Sequence, residues 1–152
     1  MKSVLIAPRK YIQGRGVLGE LGSYLKLLGQ KPLILWDGVV KSAVGPAVRA
    51  GLQAAGMDAV DVDFQGEATA AERARVTKIA IESQADISVG IGGGKVLDPA
   101  KLASANIGVN FISIPTTLSH DGIASPVAVI DYGNEVQSIY ACMPFGVIID
   151  IR

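Results

Sequence analysis

The stretch Ile87-Ser88-Val89-Gly90-Ile91-Gly92-Gly93-Gly94-Lys95 decides the fold. Its first five residues form a short, nearly continuous apolar run, the pattern of a strand buried on both faces of a sheet. Gly92, Gly93 and Gly94 follow, and the residues from about Lys95 to Asn106 are predicted to be helical. Glycines at a strand-to-helix junction let the backbone adopt positive φ and approach a ligand closely. The helix then offers free N–H groups and the positive end of its dipole to a phosphate. A Walker A loop fails here, because Val89 stands where its first glycine belongs and Val96 follows the lysine. The dinucleotide fingerprint G-x-G-x-x-G matches at Gly90 and Gly92 but fails at Lys95. The junction therefore reads as a phosphate-type loop of another variety, with a tight, ligand-free turn as the alternative.

Outward from this junction the chain alternates strands and helices. Leu33 to Trp36 is a second buried strand, and Val109 to Ile114 another that Pro115 ends. Val60, Val62 and Phe64 alternate with Asp61 and Asp63, which suits a strand nearer a sheet edge. Between them, Val39 to Ala55 has helical spacing, and Pro46 predicts a break into two short helices. Thr69-Ala70-Ala71-Glu72 is a capping box that opens a helix to about Gln84. Val17 to Leu28 reads as an amphipathic helix after an extended piece at Tyr11-Ile12. Pro126 to Ile130 and Val136 to Ala141 flank Asp131-Tyr132-Gly133-Asn134, a hairpin signal, and Val147 to Ile149 is a last buried strand. Repeated strand-helix-strand units argue for an α/β fold, a Rossmann-like parallel sheet with helices on both faces, here with a C-terminal β-hairpin.

Composition agrees with a single domain over 1–152. Apolar residues make up 49% and charged residues 18%, which excludes a disordered chain. Fourteen basic residues balance fourteen acidic ones, so nucleic acid is not expected as a partner. The lone Cys142, in a predicted hairpin strand, excludes an internal disulfide framework and a cysteine-based zinc site. No apolar run has the ~20 residues of a membrane span, and a cytoplasmic location is expected.

Two further places carry chemistry. Asp37 lies just past the end of a predicted buried strand, where ligands bind in open α/β sheets. It can accept hydrogen bonds from a ribose diol and repel a 2′-phosphate, or it can simply form a turn with Gly38. Pro115-Thr116-Thr117-Leu118-Ser119-His120-Asp121-Gly122 follows another strand at the same sheet edge as the glycines. Its hydroxyls, imidazole and carboxylate suit a polyol or a ribose. Consecutive Ser119, His120 and Asp121 are not a catalytic triad, since neighbours in sequence cannot form the relay. Asp98, in the helix after the glycines, either braces the loop from behind or solvates a helix face.

These residues carry a resemblance. Gly92-Gly93-Gly94-Lys95-Val96-Leu97-Asp98 together with Pro115-Thr116-Thr117 resembles the N-terminal half of the iron-containing alcohol dehydrogenase and dehydroquinate synthase-like superfamily. Lys10-Tyr11-Ile12-Gln13-Gly14 is similar to glycerol dehydrogenase, and Ser119 to Pro126 is similar to sn-glycerol-1-phosphate dehydrogenase. The resemblance implies an NAD(P)-binding domain, with NAD favoured over NADP by Asp37. It implies the pyrophosphate on Gly93, Gly94 and Lys95 with Asp98 nearby, and cofactor contacts also from Gly92, Val96 and Asp98. It implies further cofactor contacts from Thr116, Thr117, Leu118, Ser119 and Ser125, and a substrate contact from Asp121.

Members of the family are about twice as long or more. Their helical second half supplies metal ligands, typically one Asp and two His, and this sequence has only His120. Zinc is therefore not expected to bind this chain alone, and no catalytic residue is assigned. The expectation is a dinucleotide-binding module of a polyol dehydrogenase, inactive by itself: a fragment, an engineered half or an ancestral-type reconstruction. Half of a two-chain enzyme completed by a helical partner, and a ligand-free scaffold, are the alternatives. Near-zero net charge and high apolar content predict a homo-oligomer.

Overall fold

A computed structural model describes residues 1–4, 6–117 and 123–151. In chain order the strands are β1 (Lys10–Gly14), β2 (Pro32–Trp36), β3 (Val60–Asp63), β4 (Ile87–Gly92), β5 (Asn110–Pro115), β6 (Val127–Asp131), β7 (Val136–Tyr140) and β8 (Gly146–Asp150). The α-helices are α1 (Leu21–Leu25), α2 (Gly38–Ala54), α3 (Ala70–Glu82) and α4 (Gly94–Ile107). Among the described residues one sheet runs β1-β8-β5-β4-β2-β3 with every neighbouring pair parallel, while β6 and β7 form a separate antiparallel hairpin. This is the Rossmann-like α/β architecture with the C-terminal hairpin that the sequence predicts.

Side-chain alternation along the strands sorts the core into two faces. Ile34, Trp36, Ile87, Val89, Ile91, Ile112 and Ile114 face Leu21 and Leu25 of α1 and Val44, Val48 and Leu52 of α2. Leu33, Leu35 and Phe111 face Val76 and Ala80 of α3 and Val96, Leu97 and Ala100 of α4. On this second face β4 presents only Ser88, Gly90 and Gly92. The helix can therefore lie directly on the strand. Ser88 Oγ donates to Ala100 O at 2.9 Å, and a Cβ on Gly90 would stand 3.1 Å from Leu97 and 3.2 Å from Ala100. That close seat fixes where the first turn of α4 meets the end of β4.

The hairpin covers the other side of α4. Ala128 and Ile130 pack with Leu102, so the helix is sandwiched and everything from Val96 to Ser104 is buried, including Asp98 and Lys101. These two side chains complete the free edge of β6. Lys101 Nζ donates to Val127 O at 2.8 Å, and Val129 N donates to Asp98 Oδ2 at 2.9 Å. Asp131 N continues the row by donating to Ala68 O at 2.9 Å. The helix thus offers the acceptor and donor that a neighbouring strand would. Burial pushes the Lys101 pKa down, against the opposing pull of the Asp98 carboxylate 3.7 Å away.

Four expectations need correction. Pro46 does not split its helix, and α2 is continuous from Gly38 to Ala54. Pro46 is exposed, so the Ser42 carbonyl it leaves unbonded faces water, and Gly45 before it has no Cβ to clash with the ring. The helix predicted over Val17 to Leu28 is a 3-10 turn at Val17–Glu20 followed by the short α1. Here Gly22 and Gly51 let two backbones touch: a Cβ on Gly22 would lie 2.3 Å from Gly51 O. Cys142 lies beyond β7 rather than within it, with Sγ 3.1 Å from Ser104 Oγ. Asp98 is not on a solvated face, because the hairpin buries it.

Candidate functional site

From β2 the chain crosses through α2 to β3 on one side of the β2–β4 boundary, and from β4 through α4 to β5 on the other. The connections diverge at the β2–β4 boundary, and a crevice opens beyond the strand ends at such a point. Asp37 follows β2 there, Gly93 follows β4, and Thr116 follows β5. In register, Gly92 lies opposite Pro115, and Thr116 N donates to Gly92 O at 3.0 Å. The structure thus brings the glycine junction and the Pro115-Thr116-Thr117 segment side by side.

The glycines do different work. Gly90 makes room for α4. Gly92 has φ 154°, and a Cβ there would stand 3.1 Å from Val96 Cβ. Gly93 needs to be glycine for neither reason. It is the N-cap of α4 with φ −87°, and its Cβ would meet only Thr117 Cγ2 at 3.8 Å, an ordinary contact. The space in front of Gly93 is therefore open. Val96 N and Leu97 N both turn back onto Gly93 O at 3.0 Å, so the amides of Gly94 and Lys95 precede the first intrahelical bonds. With no side chain capping this helix end, the arrangement is a cradle for an anion.

The other expected residues fall into place around it. Asp37 caps α2, its Oδ1 accepting from Val39 N at 2.8 Å, and it is half-buried. The Lys95 ammonium pairs with Glu67 at 2.7 Å, both side chains exposed. Val96 is buried against Gly92, its amide committed to Gly93 O. Asp98 holds the hairpin. Ser125 Oγ accepts from Val127 N at 3.0 Å and caps the entry to β6. Leu118, Ser119 and Asp121 lie outside the described residues, as does His120.

A cleft of about 490 Å³, which the sequence reading missed, opens along the first turns of α2, beginning two residues past Asp37 at Val39. Val39, Val40 and Val44 of α2 line it, with Ile114 and Thr116 at the end of β5 and Ile149 near the end of β8. Its size and apolar walls suit a flat organic ring. Val39 was the available signal: an 80% exposed valine in the first turn of a helix, next to a strand end. Asp150 frames the far side, accepting from Gly16 N and Leu18 N at 3.1 Å. Among the described residues no three His, Cys, Asp or Glu side chains converge as metal ligands, so they do not by themselves fit a catalytic metal. No helix among them is long and apolar enough to cross a membrane.

Known proteins share this architecture and sequence. The iron-containing alcohol dehydrogenase family model matches residues 12–152. Glycolaldehyde reductase of Halobacterium salinarum is 37% identical over 130 residues, 86% of this chain and 36% of that protein. Glycerol-1-phosphate dehydrogenase (NAD(P)+) of Methanothrix thermoacetophila is 35% identical over 146 residues, 94% of this chain and 41% of that protein. A probable glycerol dehydrogenase structure from Sinorhizobium meliloti superposes with a TM-score of 0.87 at 33% identity, over 98% of this chain and 41% of that one. Glycerol dehydrogenase from Schizosaccharomyces pombe gives 0.89 at 27% identity, over 98% and 39%. The chain spans about two fifths of the length of these relatives. With the family match extending from residue 12 to residue 152, the chain belongs to the iron-containing alcohol dehydrogenase family.

Proposed function

We propose that this chain is the dinucleotide-binding domain of a polyol dehydrogenase acting on glycerol or glycerol 1-phosphate, and that NAD is its preferred cofactor. The observation that carries the reading is Gly93, a glycine that neither backbone angle nor packing requires, at the uncapped start of α4. In this reading the amides of Gly94 and Lys95 bind the pyrophosphate, and the missing Cβ of Gly93 lets it come close. Asp37 Oδ2, opposite the oxygen committed to Val39 N, accepts from the adenosine ribose diol. Adenine enters the apolar cleft along Val39, Val40 and Ile114. Thr116 and Thr117 border the path between the two subsites.

A bound NAD would supply the hydride acceptor for oxidation of the alcohol. The chain's described residues bind and orient the cofactor. They do not include a donor set that would hold a metal against the alcohol oxygen, so turnover is assigned to the domain together with a helical partner region. Names of relatives include both glycerol and glycerol-1-phosphate dehydrogenases, which supports a substrate among these polyols. Calorimetric titration with NAD, NADP and ADP-ribose tests the proposal. ADP-ribose is expected to bind nearly as tightly as NAD, because the pyrophosphate and adenosine contacts all lie on this chain. No heat of binding from any of the three would refute it.

A further inference from the structure

Lys41 stands one helical turn beyond Asp37, its amide donating to Asp37 O at 2.8 Å. Its ammonium does not extend into solvent. It lies 2.8 Å from Asp63 and 3.9 Å from Asp61, and 5.4 Å from the centre of the Trp36 ring. Trp36 and Asp63 are register partners at the ends of β2 and β3, so Asp63 and Asp37 stand beside each other at one end of the sheet. Two carboxylates thus hold a single ammonium one helical turn beyond Asp37, where the adenosine ribose is proposed to sit. Resting on the dinucleotide reading above, we infer that Lys41 is a sequestered 2′-phosphate ligand, and that Asp63, with Asp61, sets the preference for NAD by holding it away.

The physical argument is one of competition. A 2′-phosphate carries about two negative charges, and an ammonium within a few ångströms is its natural partner. Lys41 is placed to reach one, since it shares the first turns of α2 with Asp37 and its four-carbon stem is flexible. Asp63 and the indole face occupy that ammonium instead. The site consequently presents net negative charge to a 2′-phosphate while leaving a 2′-hydroxyl unaffected, which is discrimination by repulsion as well as by attraction. Asp63 is 63% exposed and Lys41 26% exposed, so the pair itself adds little to stability and can be altered without unfolding the protein.

The test is calorimetric titration of NAD and NADP against the parent, Asp63→Asn, Asp61→Asn, Lys41→Gln and the double variant Asp63→Asn/Lys41→Gln. Asp63→Asn is expected to tighten NADP by about fivefold or more, with NAD changed by less than about twofold. Asp61→Asn, at the longer distance, should do the same more weakly. Lys41→Gln should erase the gain in the double variant, and raised salt should shrink it in the single one. An NADP-to-NAD ratio unmoved by Asp63→Asn, in protein that binds NAD, overturns this inference alone. So does a gain that persists without Lys41, or a parent that already binds NADP as tightly as NAD. A parent that binds neither dinucleotide overturns the underlying reading, and this inference with it.

Discussion

Valine at position 93 separates a ligand cradle from a tight turn. The backbone there is extended, φ −87° and ψ −174°, which a β-branched residue adopts readily. A Cβ meets nothing nearer than Thr117 Cγ2 at 3.8 Å. Replacing an N-cap glycine by a residue without a capping oxygen costs up to ~1 kcal/mol. Losing the glycine's freedom in the unfolded chain returns about 0.4–1 kcal/mol. The net change in stability should stay within about 1 kcal/mol, or roughly 4 °C in Tm at this chain length. Binding should respond far more. The valine methyls occupy the space through which the pyrophosphate reaches the Gly94 and Lys95 amides, and one lost charge-assisted hydrogen bond is worth ~1.5–3 kcal/mol, tenfold or more in affinity. Gly92→Ala is the contrasting variant, because φ 154° and Val96 at 3.1 Å make it a strain on the fold of about 1–3 kcal/mol. Thermal melts paired with NAD titration read both quantities. A folded Gly93→Val that binds NAD as tightly as the parent would refute the assignment, and so would a melt as depressed as that of Gly92→Ala.

Asp37→Ser should narrow the gap between NAD and NADP while leaving the melt unchanged, since serine caps a helix about as well as aspartate; a parent with equal affinities would reduce Asp37 to a cap. Lys101→Met should destabilise the protein by about 3–5 kcal/mol, because it strips the ammonium from buried Asp98 and the donor from Val127 O. The alkaline limb gives a second check on Lys101. Between its lowered pKa in the folded state and the ordinary 10.5, the unfolded chain holds a proton that the folded chain lacks, so this group's contribution to stability rises with pH. Relative to Lys101→Met, the parent should therefore lose stability less steeply in that window, and parallel limbs would contradict the burial. Self-association is expected through exposed apolar surface, including Val129, Val136 and Tyr140 on the outer side of the hairpin; light scattering showing a monomer at high concentration counts against it. Metal-free protein given zinc, glycerol and NAD should form no NADH, and stoichiometric zinc with steady turnover, both lost in His120→Ala, would reverse that expectation.

Much of the fold is written in local pattern. The apolar runs at Leu33 to Trp36 and Ile87 to Ile91 are strands buried on both faces, and Thr69 caps its helix by accepting from Glu72 N at 3.1 Å. What escaped the pattern is tertiary. Pro46 reads as a break because its neighbours in sequence cannot say that Ser42 faces water. Nothing in the local pattern marks Gly22 and Gly51, yet each permits a close approach of backbones. The apolar cleft along the start of α2 draws on α2, β5 and β8, segments too far apart in the chain for any window to connect.

The site residues show the same limit in a sharper form. Gly90, Gly92, Gly93 and Asp98 all belong to one short motif, and sequence alone treats them as one functional unit. In the fold they divide. Gly90 and Gly92 shape the contact between β4 and α4, and Asp98, with Lys101, ties α4 to the backbone of β6. Only the space at Gly93 and the neighbouring amides remain facing the crevice. The division has a physical logic. An anion cradle made of backbone amides is only as well placed as the helix that carries them, and α4 is fixed from the sheet side by small residues and from the outside by a buried ion pair. A variant of Asp98 that weakens cofactor binding would therefore do so by loosening the hairpin, and a hairpin amide that Asp98 does not accept from, such as Ala141 N on Pro126 O, would exchange faster in the same protein. A direct contact between Asp98 and the cofactor would instead weaken binding with Ala141 exchange unchanged.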